Sequence, residues 1–425
     1  QLLTLLGEIY YMTKVLKFGG ASIQDVDSIK NVVSIIQSFK NQKLVIVFSA
    51  IANVTNMLEK VVDEYVKKYS NPLVTLNQIK ELHHNILIDL FEKEHIIFDT
   101  VNNLFLEIEW VLEEEYNNEY SYNYDQIVSV GELLSTNILS AYLKLNDFSN
   151  YLLDARDVFK TDNQYQSANI NWELTTKCII EKIEDFPLVT QGFIGCTSEN
   201  FTTTLGREGS DFTAAVLANV LNAEKVIIWK DVDGVLNADP RYFSDTKLIR
   251  QLSFTDAIEL AYYGAKVIHP KTIQPLKEKK IPLHVRSFKD VNKSGTVINS
   301  EINNNKKPSY IVKENQVLIS ISDVDLSFII EEHLSYIFML LSKFNITINL
   351  MQNSAVSFSI CIDNHSYKIP LLIEEISKKF SVYYNMDLSL YTIRYYDDES
   401  ISKVISDKKI FLEQKSRNTV QFITS

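Results

Sequence analysis

The chain is 425 residues long and 46% hydrophobic, with a net charge of -12 and a pI near 5.2. That is enough for two or three globular domains with a sizeable core, and the acidic balance argues against nucleic acid or an anionic membrane as partner. No apolar run approaches the roughly 18 residues needed to span a bilayer, and Cys178, Cys196 and Cys361 are widely separated with no CxxC pair, which fits reduced core thiols in a cytoplasmic protein. Residues 1–11 lack the basic start of a secretory signal, and with Met12 just before the first strand they are expected to be sequence upstream of the domain.

Residues 14–18 read as a strand, Gly19-Gly20-Ala21-Ser22 as a tight loop, 25–40 as a helix with apolar Val26, Ile29, Val33 and Ile36, and 44–48 as a second buried strand. Strand, glycine loop, helix and strand in this order make a right-handed crossover in a parallel sheet, so an open α/β sheet covered by helices is expected. Lys17, inside the first strand, is either an exposed edge lysine or a cation that reaches a bound phosphate; the apolar surroundings favour the second. Residues 49–55 read as a polar loop at a strand's carboxyl end, and 76–116 as a helical hairpin with apolar Ile79, Leu82, Ile86, Leu90, Val101, Leu104, Ile108 and Val111. Glu113-Glu114-Glu115 suits a solvated face, and the spacing of His83 and His84 does not turn both toward one metal, so no metal ligands are assigned.

Glu132 follows Gly131 at the start of a further helix, where a carboxylate is favoured whether or not it binds anything. Residues 152–158 and 188–193 read as strands, and a Thr-rich hairpin at 197–204 leads to Gly206-Arg207-Glu208-Gly209-Ser210-Asp211. Phe212, Val216 and Val220 follow at helical spacing, so this hexapeptide opens a helix. A helix start offers outward N–H groups and positive charge to an anion, glycines permit close approach, and Arg207 adds a planar fork for carboxylate or phosphate. An ordinary capped surface helix would satisfy the same hexapeptide. The next strand, 226–229, delivers Lys230, Asp231, Val232, Asp233 and Gly234 at its carboxyl end, where ligands of open α/β sheets collect. Ser253 and Asp256 open another helix, Gly264 closes it, and Lys266 follows. The last glycine is Gly295, so a phosphate cradle belongs to the chain before it.

Beyond residue 300 the composition changes. Residues 301–311 read as a polar linker, and 312–425 follow a strand, helix, strand, strand, helix, strand order, a ferredoxin-like α+β pattern. Residues 409–424 read as two further strands hinged at Arg417-Asn418, too few for an independent domain and expected to pair with the segment near 309–315.

The strings KFGGAS (17–22), SVGELLS (129–135), GREGSD (206–211), WKDVDGVLNADPR (229–241) and AYYGAKVIHPKTI (261–273) together resemble those of aspartokinases, in the family's order over nearly the whole chain. The resemblance implies an amino acid kinase fold over 12–300, a C-terminal ACT region whose second ACT domain is incomplete, and transfer of phosphate from ATP with Mg²⁺ to the β-carboxylate of L-aspartate. It places Lys17, Asp211 and Lys266 at the phosphates, and Thr55, Glu132, Arg207, Ser210 and Asp211 on the amino acid. On ATP it places Lys17, Gly19, Gly20, Ser22, Lys230, Asp231, Leu236, Asp239, Arg241, Lys266 and Val267. Thr347, Ile348, Asn349, Asn353 and Ser354 would hold an inhibitory amino acid, lysine or threonine, and the ACT region would join two copies in a homodimer. The family usually has glycine where this chain has Glu208, Thr at Lys230, Tyr at Leu236 and, in lysine-sensitive members, Asp at Asn349. A catalytically silent amino acid sensor and a kinase for another substrate, such as glutamate, are the competing readings. P-loop and protein kinase signatures are missing from the sequence.

Overall fold

The computed structural model describes residues 12–114, 119–183, 185–265, 268–301, 306–323 and 329–425. The expectations for residues 1–11, for Glu115, Lys266, Val267 and Phe328, and for the linker at 302–305 lie outside these. The described residues form two compact units. The first contains 12–235, 248–258 and 268–301; the second contains 236–247, 259–265 and everything from 306 onward.

The first unit is an α/β structure in which helices cover a mostly parallel sheet. Its elements are β1 (Lys14–Phe18), α1 (Val26–Gln37), β2 (Leu44–Phe48), α2 (Val54–Lys67), α3 (Pro72–Leu90), α4 (Ile97–Glu113), α5 (Tyr120–Val128), α6 (Val130–Leu145), β3 (Tyr151–Leu153) and α7 (Ala155–Val158). Then follow α8 (Trp172–Lys182), β4 (Leu188–Gln191), β5 (Ile194–Cys196), β6 (Thr202–Thr204), α9 (Gly209–Val220), β7 (Lys225–Lys230), β8 (Gln251–Ser253), α10 (Phe254–Tyr263), α11 (Pro270–Lys279), β9 (Leu283–Ser287) and β10 (Thr296–Asn299). Helix α10 begins in the first unit and ends in the second. The main sheet runs β3-β4-β2-β1-β7-β9-β10-β8 and is parallel except where β9 meets β10; β5 and β6 form a separate hairpin.

The sequence of β2, Leu-Val-Ile-Val-Phe, explains its place: all five side chains are buried, as in a parallel strand covered on both faces. Beside it β1 lies between β2 and β7, with Lys17 level with Val47 and Ile228. Phe18 stacks between Phe48 and Trp229, its ring 5.7 Å from the first and 6.0 Å from the second, which locks the carboxyl ends of three neighbouring strands together. Helix α1 starts where the Asp25 side chain accepts the Ser28 N–H at 2.8 Å, and it buries Ile29, Val32, Val33, Ile35 and Ile36.

Several local readings are corrected. Residues 49–55 do not form a loop throughout, because α2 begins at Val54; its buried Val54, Leu58, Val61, Val62 and Tyr65 keep helical spacing, so Thr55 sits in a first helical turn. The expected strand at 152–158 is three residues of β3 followed by α7, because Asp154 caps a helix by accepting the Arg156 N–H. Cys196 and Cys361 are buried free thiols, whereas Cys178 is only half-buried on α8. Among the described residues no helix is long and apolar enough to cross a membrane.

The second unit is one six-stranded antiparallel sheet. Its strands are β11 (Ser309–Asp323), β12 (Ile348–Asn353), β13 (Ser357–Asp363), β14 (Phe380–Arg394), β15 (Ile410–Lys415) and β16 (Thr419–Thr424), in the order β12-β13-β11-β14-β16-β15. Helices α12 (Glu331–Lys343) and α13 (Lys368–Ser377) cover one part around Val317, Ile319, Ile337, Leu340, Ile360 and Leu372. This part has the ferredoxin-like order. Helix α14 (Asp398–Ile405) covers the other through Val404, packed with Ile393, Val420 and Phe422. Residues 309–313 pair with the carboxyl end of β14 and β16 pairs on that strand's other side, so the last two strands do not pair with 309–313 as expected but share a sheet with it through β14. Register shifts between Lys313 and Gln316 and between Gln316 and Leu318 separate the two parts. The strands extend beyond 317–322 and 388–395 because 309–313 and most of 380–387 also pair in the ladder between β11 and β14.

The three tryptophans of the chain, Trp110, Trp172 and Trp229, all precede residue 235, so fluorescence reports on the first unit. Phe48→Ala is expected to destabilise that unit by about 3–5 kcal/mol, seen as an earlier fluorescence transition in urea; an unchanged midpoint would contradict the aromatic stack.

Candidate active site

Because β1, β2, β4 and β7 are parallel, their carboxyl ends fall on one side of the sheet, and the start of α9 is brought to the same place. A cavity of about 490 Å³ opens there within the first unit. It is lined by Lys17, Ser49, Thr55, Glu59, Tyr124, Glu132, Gln166, Phe193, the run Gly206–Asp211, and Lys230. Asp211 lies in the first turn of α9 and is 1% exposed. Lys17 Nζ lies 2.5 Å from one of its carboxylate oxygens and Lys230 Nζ 3.5 Å from the other. Burial pushes the Asp211 carboxyl up, but the two ammonium groups outweigh it and hold the group below the usual carboxylate range. The cluster therefore carries two positive charges and one negative.

Glu132 is buried in the first turn of α6. Its Oε1 accepts the Ala50 N–H at 3.3 Å, while its Oε2 has no hydrogen-bond partner. Burial pushes this carboxyl up to about 8, against the pull of the Ala50 N–H and of Lys17. A buried acceptor left without a donor is costly, and a ligand's ammonium group would satisfy it.

The hexapeptide is held by its neighbours. Glu208 has φ +54, a left-handed conformation that glycine adopts freely and that costs another residue about 1–2 kcal/mol. Its carboxylate offsets this by accepting the His269 N–H at 2.8 Å, at the start of α11. Lys271 of α11 donates to the Leu205 carbonyl at 3.2 Å. The substitution of Glu for the family's glycine is thus accommodated by a capping contact, and the acid turns to α11. Two glycines are required by close approach: a Cβ at Gly192 would stand 2.4 Å from that of Ser210, and one at Gly20 2.8 Å from the Ala50 carbonyl oxygen.

Of the residues expected on the amino acid, Thr55, Glu132, Arg207, Ser210 and Asp211 all line this cavity, together with Lys17 and Lys230. Arg207 is exposed and Ser210 buried. Gly19, Gly20 and Ser22 form the 3₁₀ turn after β1, where the Ser22 hydroxyl donates to the Gly19 carbonyl at 2.5 Å; they are outside the lining set, as is exposed Asp231. Leu236, Asp239 and Arg241 belong to the second unit, where Arg241 donates to both carboxylate oxygens of Asp239 at 3.1 and 2.6 Å. Lys266 and Val267 lie outside the described residues. Five lining residues, Ser49, Glu59, Tyr124, Gln166 and Phe193, were not anticipated. Tyr124 donates its hydroxyl to Glu59 at 2.6 Å, bridging α5 to α2.

The residues expected on an effector are in the second unit. Thr347, Asn353 and Ser354 are exposed, and Ile348 and Asn349 half-buried. Asn349 accepts from Lys313 Nζ at 2.8 Å and donates to Gln316 at 2.7 Å and Asp363 at 2.9 Å.

The family model for the "Amino acid kinase family" matches residues 12–287. Lysine-sensitive aspartokinase 3 of Escherichia coli is 32% identical over 358 residues, which covers 82% of this chain and 78% of that protein. The structure of E. coli aspartokinase III in complex with aspartate and ADP (R-state) superposes with a TM-score of 0.82 at 28% identity, covering 97% of this chain and 96% of that one. Its complex with lysine and aspartate (T-state) gives 0.80 at 28% identity, covering 97% and 95%. The match over the catalytic half, the relative covered along most of its length and the shared fold of both units show that the chain belongs to the aspartokinases of the amino acid kinase family.

Proposed function

We propose that the crevice around Lys17, Asp211 and Lys230 carries the aspartate kinase activity of this chain, the transfer of the γ-phosphoryl group of ATP to the β-carboxylate of L-aspartate. The observation that carries the reading is a buried carboxylate shared by two lysines at the carboxyl ends of adjacent parallel strands, beside a helix start. A free β-carboxylate, with a pKa of about 4, is ionised at neutral pH and needs no general base. The chemical problem is to bring two anions together and neutralise charge as the phosphoryl group passes.

In this reading Asp211 orients Lys17 and Lys230 and leaves the cluster with a net positive charge for the phosphate oxygens. Arg207 clamps the α-carboxylate of aspartate, helped by Ser210 and Thr55. The unpartnered Oε2 of Glu132 takes the α-ammonium group. By resemblance, Lys266 would add a further cation, and Gly19, Gly20, Ser22, Asp231, Leu236, Asp239, Arg241 and Val267 the nucleotide contacts. Among the described residues no three Asp, Glu, His or Cys side chains converge to hold a metal ion. Mg²⁺ fits here as an ion carried in on the triphosphate oxygens, where it would neutralise phosphate charge. The second unit would act as an amino acid sensor and as the contact of a homodimer, in a cytoplasmic enzyme of amino acid biosynthesis.

Lys17→Ala is expected to lower kcat for aspartate-dependent ADP release by about 10²–10³-fold, with glutamate a poor substitute for aspartate in the unmodified chain. Equal release with and without aspartate would remove the assignment. Glu132 must be ionised to hold an ammonium group, and burial raises its carboxyl to about 8. Thus kcat/KM for aspartate should climb as pH rises from 6 to 8 and level off above, and Glu132→Gln should abolish that slope; a flat profile in the unmodified chain would count against this role. The lysine-sensitive relative motivates the sensor role. Asn349 is already engaged by Lys313, so isothermal titration with lysine should show weak binding that strengthens in Lys313→Ala; no heat with lysine or threonine in either protein would rule out the sensor role.

A further inference from the structure

Two irregular segments line the crevice, the turn at Gln166, with φ +68, and the run Gly206–Glu208 after β6. Both are tied to one side chain. Asp125 of α5 is fully buried. Its Oδ1 accepts the Thr204 hydroxyl at 2.7 Å and its Oδ2 the Thr204 N–H at 2.8 Å. The Gln166 N–H lies 3.1 Å from both oxygens. Thr204 ends β6 two residues before Gly206, its carbonyl accepts the Ala168 N–H at 2.9 Å, and a Cβ at Gly206 would lie 3.3 Å from the Gln166 carbonyl oxygen. The two segments therefore touch where they meet the cavity. The next residue of α5, Gln126, donates to the Thr202 carbonyl at 2.9 Å, and the preceding one, Tyr124, lines the cavity itself.

Three donors converge on one carboxyl group, so both of its oxygens must accept. An asparagine keeps one oxygen for the Thr204 N–H, but its NH₂ group takes the place of the second acceptor, faces the Gln166 N–H at close range and forces the Thr204 hydroxyl to reverse. Burial pushes the Asp125 carboxyl up to about 7, against the bonds from Thr204 and Gln166. The fold keeps a costly buried acid there, and each donor it holds belongs to a segment that borders the crevice.

We propose that Asp125 is a positioning residue of the aspartate site: its two-armed carboxylate clamps the Gln166 turn to the end of β6 and so sets the separation between Gln166 and Arg207 across the bound amino acid. This rests on the reading that the crevice binds L-aspartate. The test compares Asp125→Asn and Thr204→Val with the unmodified full-length chain, by steady-state kinetics and by amide hydrogen exchange. Asp125→Asn should raise KM for aspartate at least tenfold, with KM for ATP within twofold and kcat within threefold. Exchange at Gln166 and Thr204 should quicken at least tenfold while Leu16 in β1 stays unchanged. Thr204→Val removes one donor and keeps both N–H bonds, so it should raise the aspartate KM two- to fivefold; it decides the question if Asp125→Asn does not fold. An unchanged aspartate KM in the variant that folds overturns the proposal, as does a loss shared equally by both substrates with faster exchange throughout the chain. A wild-type chain without aspartate-dependent ADP release fails the functional reading instead, and the exchange data then show whether the clamp exists.

Discussion

The first unit depends on one buried carboxylate held between two ammonium groups. Desolvating an acid costs several kcal/mol unless charges close by compensate for it, and Asp211 has Lys17 and Lys230 within contact distance. The arrangement constrains much else. Lys17 must project from the end of the central strand, Lys230 from the end of its neighbour, and the first turn of α9 must lie against both. The stack of Phe48, Phe18 and Trp229 holds those strand ends level, and Gly192 lets Ser210, the residue before Asp211, approach closely. Two lysines for one acid leave an excess of positive charge in a chain whose net charge is -12. A protein that repels anions over most of its surface thus attracts them at one point.

Much of this unit was legible because local signals agreed with the global ones. The all-apolar run of β2, the glycine turn after β1 and the hexapeptide before α9 each carry a local preference that the parallel sheet also requires. Lys17, Glu132, Arg207 and Asp211, which line the cavity, sit beside such signals. The opposite wall was harder to read. Glu59, Tyr124 and Gln166 reach the cavity from α2, α5 and a loop, and no spacing along the chain says that three separate segments meet. Glu208 shows a different limit: its positive φ and its bond to His269 depend on α11, about sixty residues further on.

The second unit was legible in its order of elements but not in its boundaries. A strand-helix-strand-strand-helix-strand pattern implies a ferredoxin-like sheet. It cannot show that residues 236–247 and 259–265, early in the sequence, pack with the C-terminal sheet. There Arg394 of β14, buried, pairs with Glu259 of α10, and Lys313 lies against Gly264 at the end of the same helix. Such contacts arise only from the folded chain, because their partners are more than a hundred residues or nearly fifty residues apart in sequence.

Strands β11 and β14 are 15 residues each, nearly three times the usual length of about 5–6, and they run side by side through both parts of the C-terminal sheet. Two structural modules that share their central ladder are not separate bodies joined by a hinge. Continuous backbone joins the part beside β12 and β13 to the strands beside α14, with register shifts between Lys313 and Gln316 and between Gln316 and Leu318, where a bulge increases the local twist. The length of these two strands makes the sheet a torsion bar, with its two irregular joints gathered at residues 313–318, starting from the lysine that touches Gly264.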